Sequence, residues 1–91
     1  MSDKKVTVTI TGRTISVAPD PVQPKVNQDK VKWECDTGTF TIKLPGESIP
    51  AKQEGSKFVG TSKTFPTVEK IKYSVSAPGA DTLDPEVDVQ P

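Results

Sequence analysis

Apolar and polar side chains alternate strictly along the first part of the chain. In residues 5–11, valine or isoleucine occupies every second position, and lysine or threonine fills the positions between. Because successive side chains of a β-strand point to opposite faces, this pattern predicts a half-buried strand. A second short strand over residues 14–18 should end at Pro19 and Pro21, since proline cannot donate a hydrogen bond to a β-ladder.

The strongest alternation lies in the middle of the chain. Residues 30–35 place Val31, Trp33 and Cys35 on one face, and residues 39–44 repeat the pattern. The intervening residues 36–38 have turn composition, so the pattern predicts a β-hairpin at the centre of the core. Trp33 is expected to be buried between two sheets.

The rest of the chain predicts shorter elements. Residues 45–60 contain scattered prolines and glycines and are expected to be irregular, whereas residues 69–76 and 86–90 alternate again. About six to eight short strands result. A single sheet cannot bury the apolar faces of both the first and the last strand, so we expect an all-β, two-sheet sandwich. One domain should span residues 1–91, with residues 1–4 flexible.

Composition limits what this domain can bind. Apolar residues make up 32% of the chain and aromatic residues 5%, so nearly all large apolar side chains are needed for a core. Twelve basic residues balance twelve acidic ones, which gives no reason to expect nucleic acid or an anionic membrane as partner. No run is long enough to insert into a bilayer.

The residues needed for most active sites are absent from the sequence. The chain has no histidine, which excludes Ser-His-Asp and Cys-His nucleophiles and histidine-ligated metals. No glycine spacing matches a phosphate-binding loop. We therefore expect no enzyme activity, no catalytic residues, no cofactor and no metal site.

The single cysteine and the acidic C-terminal segment are the remaining candidates for chemistry. Cys35 is in phase with buried positions and has no second cysteine to pair with, so it is expected to be a small core residue. Calcium uses carboxylate ligands such as those of Asp81, Asp84, Glu86 and Asp88. Their spacing favours a solvated acidic edge, and calcium binding stays open.

The N-terminus bears on localisation. Residues 1–5 run directly into the first strand pattern without an apolar signal region. We expect a cytoplasmic protein if Met1 is native, and otherwise a secreted or periplasmic protein whose signal peptide has been removed.

Three segments resemble the cupredoxins, the blue copper proteins. They are Asp29-Lys30-Val31-Lys32-Trp33, Gly38-Thr39-Phe40-Thr41-Ile42 and Tyr73-Ser74-Val75-Ser76-Ala77-Pro78-Gly79. The chain is similar to short bacterial cupredoxin-like proteins of unassigned role. The resemblance covers about residues 6 to 90 and implies a Greek-key sandwich.

Every ligand position departs from the cupredoxin pattern. The resemblance places the first histidine near Phe40, the cysteine at Val75, the second histidine at Pro78 or Gly79, and the methionine near Leu83. Apolar groups offer no lone pair to copper. We expect these residues to gather at one end of the sandwich, where Phe40, Pro78 and Leu83 form a partner-binding patch on a monomeric, metal-free module.

Two other functions remain open. One is a metal-binding or electron-transfer protein that uses Cys35 and the C-terminal acids. The other is a carbohydrate-binding sandwich, which ordinarily presents exposed aromatic rings, whereas the aromatic residues here fall mostly in core phase.

Overall fold

A computed structural model describes residues 3–91 of the chain. These residues form ten short β-strands and no helix. The strands are β1 (Asp3–Thr11), β2 (Thr14–Ala18), β3 (Lys30–Cys35), β4 (Thr41–Leu44), β5 (Glu47–Pro50), β6 (Lys52–Glu54), β7 (Lys57–Thr61), β8 (Lys70–Lys72), β9 (Ser74–Ser76) and β10 (Glu86–Asp88). The expected all-β class is confirmed, and the expected number of strands is too low.

The expectation that residues 45–60 are irregular is wrong. Residues 45–60 contain β5, β6 and most of β7, which are too short and too exposed to show a clear alternation. Gly46 and Gly55 have φ angles of 75° and 64° in the turns before β5 and β7, a conformation that favours glycine. In the N-terminal segment expected to be flexible, residues 3 and 4 belong to β1, and residues 1 and 2 lie outside the described residues.

Five strands form the largest sheet, in the order β2-β1-β3-β7-β6. β1 is antiparallel to β2 and parallel to β3, and β3 is antiparallel to β7. The alternation in β1 is preserved in this sheet, since Val6 and Val8 are buried between exposed neighbours.

The other strands form a three-stranded sheet, β5-β4-β9, and a two-stranded sheet, β10-β8. Only Tyr73 separates β8 from β9, and its amide donates to the Pro85 carbonyl over 3.1 Å. Val75 and Leu83 exchange backbone hydrogen bonds of 2.8 and 3.0 Å. The segment that precedes β3 runs parallel to β10, with bridges from Val22 to Val87 and from Lys25 to Gln90. Hydrogen bonds therefore connect the two smaller sheets to each other and to the segment before β3.

The predicted hairpin between residues 30–35 and 39–44 is wrong. β3 pairs with β1 and β7, while β4 pairs with β5 and β9, so residues 36–40 connect two different sheets. Both segments do bury their apolar faces. Alternation reports which face is buried but does not identify the strand that pairs with it.

One hydrophobic cluster draws on all three sheets. Val6 and Trp33 come from the five-stranded sheet, Ile42 and Val75 from the three-stranded sheet, and Val87 from the two-stranded sheet. Trp33 is 0% exposed, as expected. Its ring centroid lies 5.3 Å from that of Tyr73, with the two planes tilted by 59°. The indole Nε1–H donates to the Tyr73 hydroxyl over 3.0 Å.

Gly60 in β7 allows two sheets to approach closely. A Cβ atom at this position would lie 3.4 Å from Ile49 Cγ2 and 3.7 Å from Phe40 Cε2. Because Ile49 belongs to β5, a side chain at position 60 would contact the three-stranded sheet, so the two sheets lie close together here.

Candidate functional site

Of the residues at the positions where the resemblance places copper ligands, Phe40 and Pro78 lie beyond the Thr41-Ser76 end of the β4-β9 pair, and Val75 lies within the ladder. Thr41 pairs with Ser76, so Phe40 and Ala77 directly follow the last paired residues at this end. Val75 pairs with Ile42 on one side and bridges to Leu83 on the other. We call Phe40, Val75, Pro78 and Leu83 the apolar end.

The apolar end is mostly closed. Phe40 is 1% exposed and Val75 0%. Leu83 is half-buried and packs against the core, whereas Pro78 is exposed in a turn closed by the Ala80 amide donating to the Ala77 carbonyl. Of the three residues predicted to form the partner-binding patch, Pro78 alone is fully presented at the surface.

The tip of the β1-β2 hairpin meets the loop that precedes Leu83. The Asp81 amide donates to the Arg13 carbonyl over 2.9 Å, and the Arg13 guanidinium lies 3.3 Å from the Asp81 carboxylate. Both side chains are largely exposed, so the ion pair itself contributes little, but the backbone bond holds this loop in position.

The C-terminal acids are engaged separately rather than gathered. Asp84 accepts a hydrogen bond of 3.0 Å from the Ser74 hydroxyl. Glu86 lies opposite Lys72 and Asp88 opposite Lys70 in the β8-β10 pair. Within residues 3–91, no group of three or more histidine, cysteine, aspartate or glutamate side chains could hold a metal ion.

Cys35 is a core residue in this structure. Its side chain is buried, and Sγ lies 3.3 Å from Thr37 Oγ1. This placement agrees with its phase in the sequence.

Glu34 links three strands on the outer face of the largest sheet. Its carboxylate lies 3.4 Å from Lys5 Nζ and 3.3 Å from Lys57 Nζ, which come from β1 and β7. Burial of the Glu34 side chain acts to raise its pKa, but the hydrogen bond from Lys57 and the charge of Lys5 outweigh burial, so the pKa is lowered. The three side chains stabilise the sheet and offer no free acid or base.

The hydroxyl of Tyr73 has a strongly shifted pKa. The pKa of its hydroxyl is raised from 10.0 to about 12, mainly by burial. The hydrogen bond from Trp33 lowers this pKa, and the charge of Asp20 raises it. The Tyr73 hydroxyl stays neutral at all physiological pH values, and its oxygen accepts a hydrogen bond from the Trp33 indole. Tyr73 therefore has a structural role here.

A surface groove that sequence reasoning missed lies at the opposite end of the β8-β9 segment. It encloses about 430 Å³, and its walls include the hairpin end at Leu44, Pro45 and Glu47. Glu69 and Ile71 form the β8 side, and residues 62–66, which include Phe65, complete the lining. We call this cavity the β8 groove. A sequence signal existed, since Pro45-Gly46 ends β4 early while the alternation of residues 69–76 continues past it.

Comparisons with known proteins return no relatives. No protein-family model, curated protein or solved structure matches the chain. No helix of residues 3–91 has the length and apolar character needed to cross a membrane. Residues 3–91 thus form a small all-β protein with a mostly closed apolar end and an open groove beside β8.

Proposed function

We propose that this protein is a non-catalytic, metal-free module that binds a protein partner on a two-sheet, Greek-key scaffold of the cupredoxin type. The strand pairings support the scaffold. One layer follows the order β2-β1-β3-β7-β6, and hydrogen bonds connect β5, β4, β9 with β8, β10 and residues 22–26 in the other. Within the first layer, β1 pairs in parallel with β3, which places Val6 beside Trp33.

The observation that carries this proposal is the chemistry of the apolar end. Hydrocarbon side chains occupy all the positions at which the resemblance places copper ligands, and Phe40 and Val75 are packed within the core. A metal ion there would have no lone pair to bind and would be surrounded by apolar atoms, which strongly disfavours a charge. The scaffold therefore presents surfaces rather than metal ligands, and a protein surface can bind a partner.

Metal analysis separates this proposal from a metal-binding or electron-transfer role. The purified protein is incubated with copper, zinc or calcium, dialysed, and examined by elemental analysis and visible absorption. We expect no stoichiometric metal and no visible band. Stoichiometric retention would overturn the metal-free proposal, and Cys35→Ser as a matched variant would then show whether the thiol is the ligand.

A second experiment tests binding of a protein partner. Tagged wild-type protein is used to capture interactors from the native cell beside Pro78→Asp and Pro66→Asp, which alter exposed prolines at the apolar end and beside the β8 groove. A specific interactor with wild-type protein supports the proposal, and its loss with one variant locates the interface. Leu83→Asp is unsuitable because Leu83 packs against the core. Capture of a glycan with no protein would favour the carbohydrate alternative, although four of the five aromatic side chains are buried.

A further inference from the structure

The β8 strand has one unpaired edge beside the β8 groove. β8 pairs with β10 and, among the described residues, with no other strand. On the opposite side, β4 follows β9 as far as the Lys43-Ser74 pair, and the chain then turns at Pro45-Gly46 into β5. The layer therefore lacks one short strand at this place.

The backbone groups of Lys70 and Lys72 face the missing strand. The Tyr73 amide donates to Pro85, and the Glu69 carbonyl accepts from Val89, so these alternate residues point towards β10. Successive backbone groups of a strand point to opposite sides, which turns those of Lys70 and Lys72 towards the groove. An unpaired edge of this kind is a template for an added strand.

Partly exposed core side chains lie directly beside this edge. Leu44 and Ile71 are half-buried and pack against the core, while Phe65 is 7% exposed. Val68 lies in the loop that leads into β8, outside the groove lining, and at 57% exposure it is the one exposed large apolar side chain in residues 3–91. An added strand would cover this apolar surface with every second side chain.

The charged side chains at the groove indicate which kind of peptide strand would bind there. Glu47 and Glu69 line it, against the single cation Lys63. Lys70 and Lys72 are not part of the groove lining, and they lie opposite Asp88 and Glu86 in the register of the β8-β10 pair. The excess charge that an incoming strand would meet in the groove is negative, which favours a basic partner.

We propose that the β8 groove binds an extended peptide segment of a partner protein, with alternating apolar side chains and at least one lysine or arginine, which adds to the free edge of β8. This inference rests on the proposed function and specifies its partner chemistry. The ladder hydrogen bonds supply affinity, the Leu44-Ile71-Phe65 surface accepts the apolar side chains, and Glu47 and Glu69 pair with the basic ones.

Selection from a random peptide library displayed on phage, with the whole protein as target, tests the proposal. We expect selected peptides to carry apolar residues and lysine or arginine at alternate positions of the same strand face, because Leu44, Ile71, Glu47 and Glu69 all line the groove, and to shift the amide resonances of Lys70 and Lys72. Glu47→Lys and Glu69→Lys should each weaken binding about tenfold. The matched control Glu54→Lys, on β6 and outside this groove, should leave binding unchanged.

Backbone methylation distinguishes strand addition from side-chain binding. Two versions of the best peptide carry N-methyl groups on alternate residues, one set in each phase. Only one set of amides faces β8, so one version should lose binding and the other retain it. Equal effects of the two phases would overturn the proposal.

The two proposals fail in different ways. Selected peptides that shift only residues 77–83 would overturn the β8 groove as the site and leave the binding-module proposal standing. Selection of no peptide at all would overturn the groove proposal, whereas stoichiometric metal, tested separately, would overturn the metal-free function.

Discussion

The Trp33-Tyr73 pair is the central side-chain contact of the core. Trp33 lies in β3 of the largest sheet, and Tyr73 lies between β8 and β9, so one hydrogen bond of 3.0 Å joins the largest sheet to the segment that links the two smaller sheets. Both polar atoms are buried and each is the other's partner. The pair satisfies its polar groups internally while burying two aromatic rings.

Replacing Trp33 with alanine should destabilise the protein by about 3–5 kcal/mol, because the change removes a fully buried ring and leaves a cavity. Trp33→Phe keeps much of the volume but leaves the Tyr73 hydroxyl without its donor, and should cost less. Urea unfolding followed by far-UV circular dichroism measures both. An unchanged midpoint for Trp33→Ala would contradict the central role of this side chain.

The raised pKa of Tyr73 predicts a loss of stability in alkali. The pKa rises from 10.0 to about 12 in the folded protein, so between these values the folded state binds more protons than the unfolded chain. Stability attributable to Tyr73 is present below pH 10 and is lost as the pH rises through about 12, on the order of 2–3 kcal/mol in all.

Tyr73→Phe isolates this effect, because lysine titration is common to both proteins. We expect the difference in unfolding free energy between wild type and Tyr73→Phe to shrink as the pH rises from 9 to 12. A constant difference across this range would show that the hydroxyl titrates alike in both states.

At the scale of elements, the turns and close approaches decide how the short strands assemble. β4 and β5 are joined by Pro45-Gly46, and β6 and β7 by a turn that contains Gly55. Between these two hairpins, Ile49 of β5 packs against Gly60 of β7. The absence of a side chain at position 60 sets the spacing between the two sheets.

Gly60→Val should therefore destabilise the protein by about 1–3 kcal/mol, because its Cβ would already contact Ile49 and Phe40 and its two γ-methyl groups would need further space beside them. The matched control is Gly38→Val, where a Cβ would meet no atom within 4 Å and φ is not in the left-handed region. Thermal unfolding of the two variants gives the comparison. Equal decreases in melting temperature for the two variants would mean that the loss of glycine flexibility, and not the packing between the sheets, causes the destabilisation.

At the scale of the whole molecule, the three sheets share one core. The buried cluster includes residues of β1, β3, β4, β9 and β10, and no sheet has a separate apolar interior among the described residues. The β8-β10 sheet has just three paired positions and cannot be stable alone. The domain should behave as one cooperative unit.

We expect a single two-state unfolding transition. Denaturant curves from Trp33 fluorescence and from far-UV circular dichroism should coincide, and amides of β3 and β10 should exchange with similar free energies. Earlier exchange of β10 than of β3 by several kcal/mol would show that the small sheet opens independently.

The all-β class and the buried strand faces follow from local sequence alone. Val6, Val8, Trp33, Val75 and Val87 are all in the core, as their alternation predicted. This succeeds because side-chain direction in a strand has a period of two whatever its partner. The absence of histidine likewise limits the chemistry without any knowledge of the fold.

Only the tertiary structure decided which strands pair and where the surface is open. β3 pairs with β1 rather than with the adjacent β4, although both neighbours have suitable alternation. Phe40 is buried, although the sequence placed it in a partner-binding patch. The β8 groove is open because β4 pairs with β9 but turns away before it reaches β8. Pairing depends on contacts between residues far apart in the chain, and a local pattern carries no information about which of several compatible partners completes the core.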